Sequence, residues 1–232
     1  MAGTVPTKED ILSAFHAALP VMLGYLAIGL PCGIMESKVG FSPFMSLLFS
    51  MTFYSGAGQF MIPSMWLAGA PLYSVIASVS FVNTRQMLYS AAFSPYFSDV
   101  GKPLAFFFSA TVTDESFGVS LDKFVTDGTW TPRRALLVNL MSMTSWTIAN
   151  AVGTAAGPML NLPLAVTSFA MTSIFVCLLV GQPLNRTTAI VICVAFVGVL
   201  ACKLMGLSGP AILLGALAGV FAGMAYEVAI GR

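Results

Sequence analysis

Apolar positions along this chain gather into long runs separated by short polar stretches, a spacing that predicts helices crossing a lipid bilayer one after another. The first run covers about 14–35, after a start in which Thr7-Lys8-Glu9-Asp10 has the form of a capping box. Further runs follow at about 43–68, 72–93, 104–121, 134–157, 164–181, 187–205 and 210–230. The predicted fold is an all-α polytopic membrane helical bundle with about eight transmembrane helices, or about seven if one of the last two stretches does not span. Residues 1–13 read as a polar N-terminal segment and 122–133 as the longest polar loop, all within a single integral membrane domain, 1–232.

The third run carries Asn83-Thr84-Arg85-Gln86 just past its middle. An arginine near the centre of a membrane helix costs about 2.5–3.5 kcal/mol on insertion scales, so something must compensate for it. At about 100° per residue, Asn83, Gln86 and Ser90 share one side while Ser78, Arg85 and Tyr89 form a second stripe. Polar groups on two faces leave little of the helix for lipid. It is expected to be central, surrounded by protein or lining a watery cavity. Arg85 could there tie helices together or handle a substrate, and the residues leave both roles open.

In the second run, Ser55-Gly56-Ala57-Gly58-Gln59 is followed by Pro63, which cannot donate to the Gln59 carbonyl. Two glycines weaken the same turn, so residues 55–63 are expected to be kinked or broken. A break at membrane depth offers amides and carbonyls to charged substrate ends and ions; a close-packed seam of small residues is the alternative. The fourth run, read as one continuous span, carries Thr113, Asp114, Glu115 and Ser116. Arg85 and Asp114 fall at similar depth in the hairpin, which predicts a pair between Arg85 and Asp114 or Glu115. The acid left over is available for a proton or an ammonium group.

In the first run, Gly29-x-x-x-Gly33 predicts a close helix neighbour, and Glu36 with Lys38 marks a short polar turn. Gly153-x-x-x-Gly157 in the fifth run hints at a parallel repeat of the first. Asn139, Trp146 and Asn150 read as hydrogen-bonders between helices, and Trp130 as an interface residue.

Composition supports the membrane reading and removes other classes. Of 232 residues 57% are hydrophobic and only 8% charged, with a mean hydropathy of +0.89. The net charge of +1 gives no case for nucleic acid. Cys32, Cys177, Cys193 and Cys202 form no C-x-x-C pair and read as small core residues. His16 is the single histidine, which excludes a multi-histidine metal centre, and no cofactor is expected. Adjacent acids project about 100° apart on a helix, a poor arrangement for a catalytic acid–base pair, so Asp114 and Glu115 do not suggest an enzyme. Lys8, Lys123, Arg133, Arg134, Arg186 and Arg232 fall on one side of the bilayer, against Lys38, Lys102 and Lys203 on the other. That excess predicts both termini in the cytoplasm.

Four segments in order carry a resemblance: Gly29-Leu30-Pro31-Cys32-Gly33, Ser55-Gly56-Ala57-Gly58-Gln59-Phe60, the run from Asn83 through Arg85 and Gln86 to Tyr89 and Ser90, and Thr113-Asp114-Glu115-Ser116-Phe117. Together they resemble the AzlC family, the large subunit of bacterial branched-chain amino acid exporters. The family pattern has histidine where this chain has Gln86, and phenylalanine where it has Cys32. Glutamine cannot titrate, so proton coupling would fall to Asp114, Glu115 or another route.

The resemblance implies a secondary transporter in the bacterial inner membrane that exports a small neutral amino acid with a small hydrophobic AzlD-like subunit. A zwitterion needs a cationic or amide-rich place for its carboxylate and an anionic one for its ammonium. Arg85 with the amides around Ser55, Gly56, Gly58 and Gln59 would serve the first, and Asp114 or Glu115 the second, with Asn83, Gln86 and Tyr89 beside them. A carrier of another small metabolite, and an assembly subunit without transport of its own, are the alternatives.

Overall fold

Two long helices organise the chain. The computed structural model describes residues 6–160, 185–206 and 211–230, with isolated positions 163, 166, 169, 172, 173, 176 and 180. Apart from those isolated positions, the run expected at 164–181, with Cys177, lies outside the described residues, as does the C-terminal Arg232. All nine α-helices found among the described residues, with no strand, fit a membrane helical bundle. The chain divides into two compact units, Met1–Gly69 with Val82–Met171, and Ala70–Phe81 with Thr172–Arg232.

In the first unit, α1 (Lys8–Lys38) and α7 (Pro132–Leu160) lie side by side in parallel. Thr7 and Asp10 form the expected capping box at the start of α1. At about 1.5 Å per residue α1 is roughly 45 Å long, more than the hydrocarbon layer requires. Matching ends meet: Arg134 Nε is 2.7 Å from Asp10 Oδ1, Ser145 Oγ donates to the Met22 carbonyl at 2.7 Å, and Thr154 Oγ1 donates to the Gly33 carbonyl at 3.0 Å. The two G-x-x-x-G motifs face each other. A Cβ at Gly33 would lie 2.0 Å from the Asn150 carbonyl oxygen, and one at Gly153 would lie 2.2 Å from that of Leu30. Hydrogen at these positions lets the backbones touch.

α1 does not end at Glu36. It continues through Lys38, and the reversal falls at Val39 and Gly40, whose φ of +91° suits glycine. The polar turn expected at Glu36 is therefore corrected: that residue is fully buried inside the bundle.

The second run is divided into α2 (Pro43–Thr52) and α3 (Gly56–Leu67), each with a serine N-cap, Ser42 and Ser55. The break lies at residues 53–55 and meets the expected segment only at Ser55. Residues 56–63 are helical, because Ser55 Oγ caps the Gly58 amide and Pro63 removes one bond without ending the helix.

The fourth run is not one span, which corrects the expected continuous helix. α5 (Lys102–Thr111) ends at Val112 and Thr113, both extended, and α6 (Asp114–Thr126) begins afresh. The Thr113 amide donates to Ser116 Oγ at 3.0 Å, while two acids occupy the first turn, where the helix dipole favours them. Each of α2, α3, α5 and α6 is about 15–20 Å long, roughly half a bilayer.

Between the two broken segments runs α4 (Leu72–Ala92), whose part from Val82 onward belongs to the first unit. It is not the central helix that its polar stripes suggest. Met87 and Leu88 are 72% and 70% exposed, because those stripes leave a free arc of the circumference to these apolar residues. The centre of the first unit belongs to α1 and α7. Trp130, expected at the interface, is buried beside Ala14, Ala18 and Val138. Phe93, Phe108, Val112 and Ala135 form a second core cluster, reached by Tyr89, Phe117 and Phe124.

In the second unit, α8 (Arg186–Leu204), capped by Asn185, packs antiparallel on α9 (Ala211–Ala229). A Cβ at Gly215 or Gly219 would lie 2.8 Å from a carbonyl oxygen of α8, that of Ala195 or Val191. Among the described residues α1, α7 and α8 are long and apolar enough to cross a membrane.

Candidate functional site

Tyr25, on the buried face of α1, is where the broken segments converge. Its hydroxyl donates to Glu115 Oε2 at 2.6 Å and lies 2.7 Å from Thr113 Oγ1. The Tyr54 hydroxyl, from the break between α2 and α3, sits beside Tyr25 and Thr113. It is buried and has no hydrogen-bond partner among the described residues. The starts of α3 and α6 thus both come to Tyr25, and amide groups with the positive ends of two helix dipoles come with them. Trp146 holds Tyr25 from behind in an edge-to-face contact at 5.4 Å.

The polar run of α4 lies against the same two breaks. Arg85 Nη1 is 2.8 Å from Asp114 Oδ2, with the side chains 32% and 17% exposed. Arg85 therefore pairs with Asp114, while Glu115, one residue on, turns to Tyr25. Arg85 Nε is buried without a partner among the described residues. Ser55 Oγ, already the cap of α3, donates to Asn83 Oδ1 at 2.5 Å and ties α4 to the first break. Tyr89 stacks on Phe117 of α6 with ring centroids 4.5 Å apart. Gln86 is half-buried on the same helix. One cation, two acids, two tyrosine hydroxyls and two helix N-termini are thus gathered in one place.

Gln59 and the glycines beside it lie differently. Gln59 is fully buried; its Nε2 donates to Glu36 Oε1 at 2.8 Å and to Ser50 Oγ at 2.6 Å, and its Oε1 accepts from Trp146 Nε1 at 2.8 Å. Both ends of this amide are occupied by protein. Gly56 has room for a side chain, whereas a Cβ at Gly58 would meet the capping Ser55 Oγ at 2.7 Å. Asn139 and Trp146 make bonds between helices, but Asn150 donates to the Trp146 carbonyl within its own helix. Among the described residues no group of three metal-binding side chains comes together.

Tyr25 and Tyr54 belong to none of the patterns read from the sequence, and Glu36 reads there as part of a polar turn. Tyr25 carries a hydroxyl in an otherwise apolar stretch, a modest signal. Glu36 follows Gly33-Ile34-Met35 with no turn residue between, while Gly40 comes four positions later. That order places the acid on the helix rather than in the turn.

Residues 20–160 match the family described as AzlC protein. The chain is 27% identical to "Inner membrane protein YgaZ" of Escherichia coli (strain K12), covering 84% of this chain and 82% of that one. It is 28% identical to an uncharacterized membrane protein of Helicobacter pylori (strain ATCC 700392 / 26695), over 78% and 80% of the two chains. It is 22% identical to "Branched-chain amino acid transport protein AzlC" of Bacillus subtilis (strain 168), over 73% of this chain and 66% of that protein. No solved structure matches.

Proposed function

On the premise that this chain belongs to the AzlC family, we propose that it is a secondary transporter subunit, exporting branched-chain or similar small neutral amino acids across the bacterial inner membrane with a small AzlD-like subunit. The observation that carries the reading is the convergence of two interrupted helices on Tyr25, beside the Arg85–Asp114 pair. Helix starts inside a membrane bundle supply unpaired amides where lipid-facing helices have none. The name of the Bacillus subtilis relative, a branched-chain amino acid transport protein, supports the substrate class. The chain crosses the membrane about eight times, with both termini in the cytoplasm by the excess of basic residues on that side.

In this reading the substrate carboxylate lies toward Arg85 and the amides opening α3 and α6, displacing part of the bond to Asp114. The ammonium group lies toward Glu115, and the Tyr25 and Tyr54 hydroxyls orient it. The branched side chain rests on apolar neighbours such as Phe117. Ser55, Asn83, Gln86 and Tyr89 hold the geometry of the two breaks, and Gln59 with Gly58 belongs to the scaffold beneath. Sequestration of the site from water strengthens each of these contacts.

The test is efflux of labelled leucine, isoleucine, valine and methionine from preloaded cells lacking their own exporter. The chain is expressed alone, with the small subunit, and with that subunit as Arg85→Ala. Faster efflux with the small subunit, lost in the variant at equal membrane abundance, is the expected result. No change for any of the four amino acids, with both chains in the membrane, would overturn the reading.

A further inference from the structure

Away from the Arg85–Asp114 pair the bundle holds a further buried acid, which the site above does not use. Glu36 has no exposed surface, and its hydrogen-bonding partners among the described residues are all neutral. Gln59 Nε2 donates to its Oε1 at 2.8 Å, the Ser46 hydroxyl bonds its Oε2, and Cys32 Sγ lies 4.0 Å from Oε1. Thr154 of α7 sits beside it. A carboxyl placed only for helix packing serves better as an amide or an apolar residue, since burial without a cation is costly.

We propose that Glu36 takes up and releases the coupling proton of transport, and that its state reaches the substrate site through Gln59, Trp146 and Tyr25. The inference rests on the transport reading and names the residue for its coupling. The Ser46 hydroxyl suits both states without rearrangement of heavy atoms. It donates to Oε2 of the carboxylate and accepts from the O–H of the acid. At uptake an O–H bond of hydronium breaks as one forms on the carboxylate; at release the carboxyl O–H breaks and its proton returns to water on the other side, with no group oxidised or reduced.

The path to the site is continuous. Glu36 bonds Gln59 Nε2, Gln59 Oε1 accepts from Trp146 Nε1, and the Trp146 ring meets Tyr25 edge to face at 5.4 Å. Tyr25 then donates to Glu115. Gln59 stands in the first turn of α3, so loss of the charge on Glu36 weakens a charge-assisted bond that fixes the edge of the break at residues 53–55.

Among the described residues little else that titrates faces this acid. Cys32 lies on its own helix; α2 and α3 contain no charged residue; the charges of α7, Arg133 and Arg134, stand at that helix's opposite end. Lys38 follows two residues later, at the last turn of α1.

The experiment uses vesicles containing the full chain with its small partner subunit and labelled leucine, and reads two rates: exchange at equal pH, and net flux under an imposed pH gradient. Wild type is expected to exchange and to respond to the gradient, and Glu36→Gln to exchange without responding. If wild type does not exchange, the transport reading fails and this inference with it. An exchanging wild type that ignores the gradient overturns proton coupling alone. A Glu36→Gln protein that keeps the gradient response, or stays folded but loses exchange, overturns the assignment to Glu36. Ser46→Ala covers the case in which Glu36→Gln does not fold: a displaced pH midpoint of net flux supports the proposal, and an unmoved one overturns it.

Discussion

Arg85 of α4 and Asp114 at the start of α6 stand 2.8 Å apart, which binds an intramembrane cation to a helix that begins partway across the bundle. The arginine is thus compensated by the residue that opens the half-helix. A ligand that takes Arg85 Nη1 competes with Asp114 and so loosens the start of α6.

Asp114→Asn is expected to lower stability by about 1–3 kcal/mol, less than for a fully buried pair because both side chains retain some exposure. Adding Arg85→Gln should recover part of that loss, since no unpaired guanidinium remains, while efflux stays abolished. Thermal unfolding of the two proteins beside the efflux assay checks this; recovery of transport in the double variant would remove the pair from the path.

Tyr25→Phe removes the bonds to Glu115 and Thr113 but keeps the ring against Trp146. The expected loss of stability is about 1–2 kcal/mol, with transport falling by at least about tenfold if the hydroxyl orients the ammonium group. Efflux compared with the melting temperature separates the two effects. Unchanged transport would place Tyr25 outside the site.

Gly33→Ala and Gly153→Ala put a methyl group within 2.2 Å of a facing backbone oxygen, so α1 and α7 must separate. A loss of about 1–3 kcal/mol or more is expected for such overpacking. Gly24→Ala is the control: nothing lies within 4 Å of its Cβ, and alanine is the better helix former by about 1 kcal/mol. Melting of the three proteins in the same detergent reads the difference.

The Arg134 guanidinium bonds Asp10, in the first turn of α1 ahead of its apolar part, and with the Thr7 bonds lowers the Asp10 pKa to about 2. The folded value lies below the unfolded value of 3.8. Its contribution is therefore full above that unfolded value and is lost as pH falls through about 2. Asp10→Asn should flatten the acid limb of the stability profile between those values and leave its response to pH near neutrality unchanged. An acid limb identical to wild type would show that this tie does not connect the ends of α1 and α7.

The Arg85 pairing was legible in the sequence because depth along a hairpin follows from counting residues, and a buried cation needs an acid at its own depth. Depth did not say which of two adjacent acids it would be. That choice depends on α6 beginning at Asp114, which aims one acid at α4 and the next at α1. The break at 112–113 was in principle readable, since Thr113-Asp114-Glu115-Ser116 is a helix-start pattern. Its apolar surroundings hid it, because hydropathy runs through a break without changing.

The sequence by itself determined the membrane environment, most of the apolar runs, the capped start of α1 and the close contact made by its glycines. Each of these is a local property of composition, spacing or side-chain size. Only the tertiary structure decided that Glu36 is buried under Gln59 and Ser46, that Tyr25 joins two helix starts, and that α1 and α7 rather than α4 hold the centre. A polar side chain in a membrane bundle is placed by whichever partner satisfies it, and that partner lies on another helix, at a distance along the chain that no local pattern records.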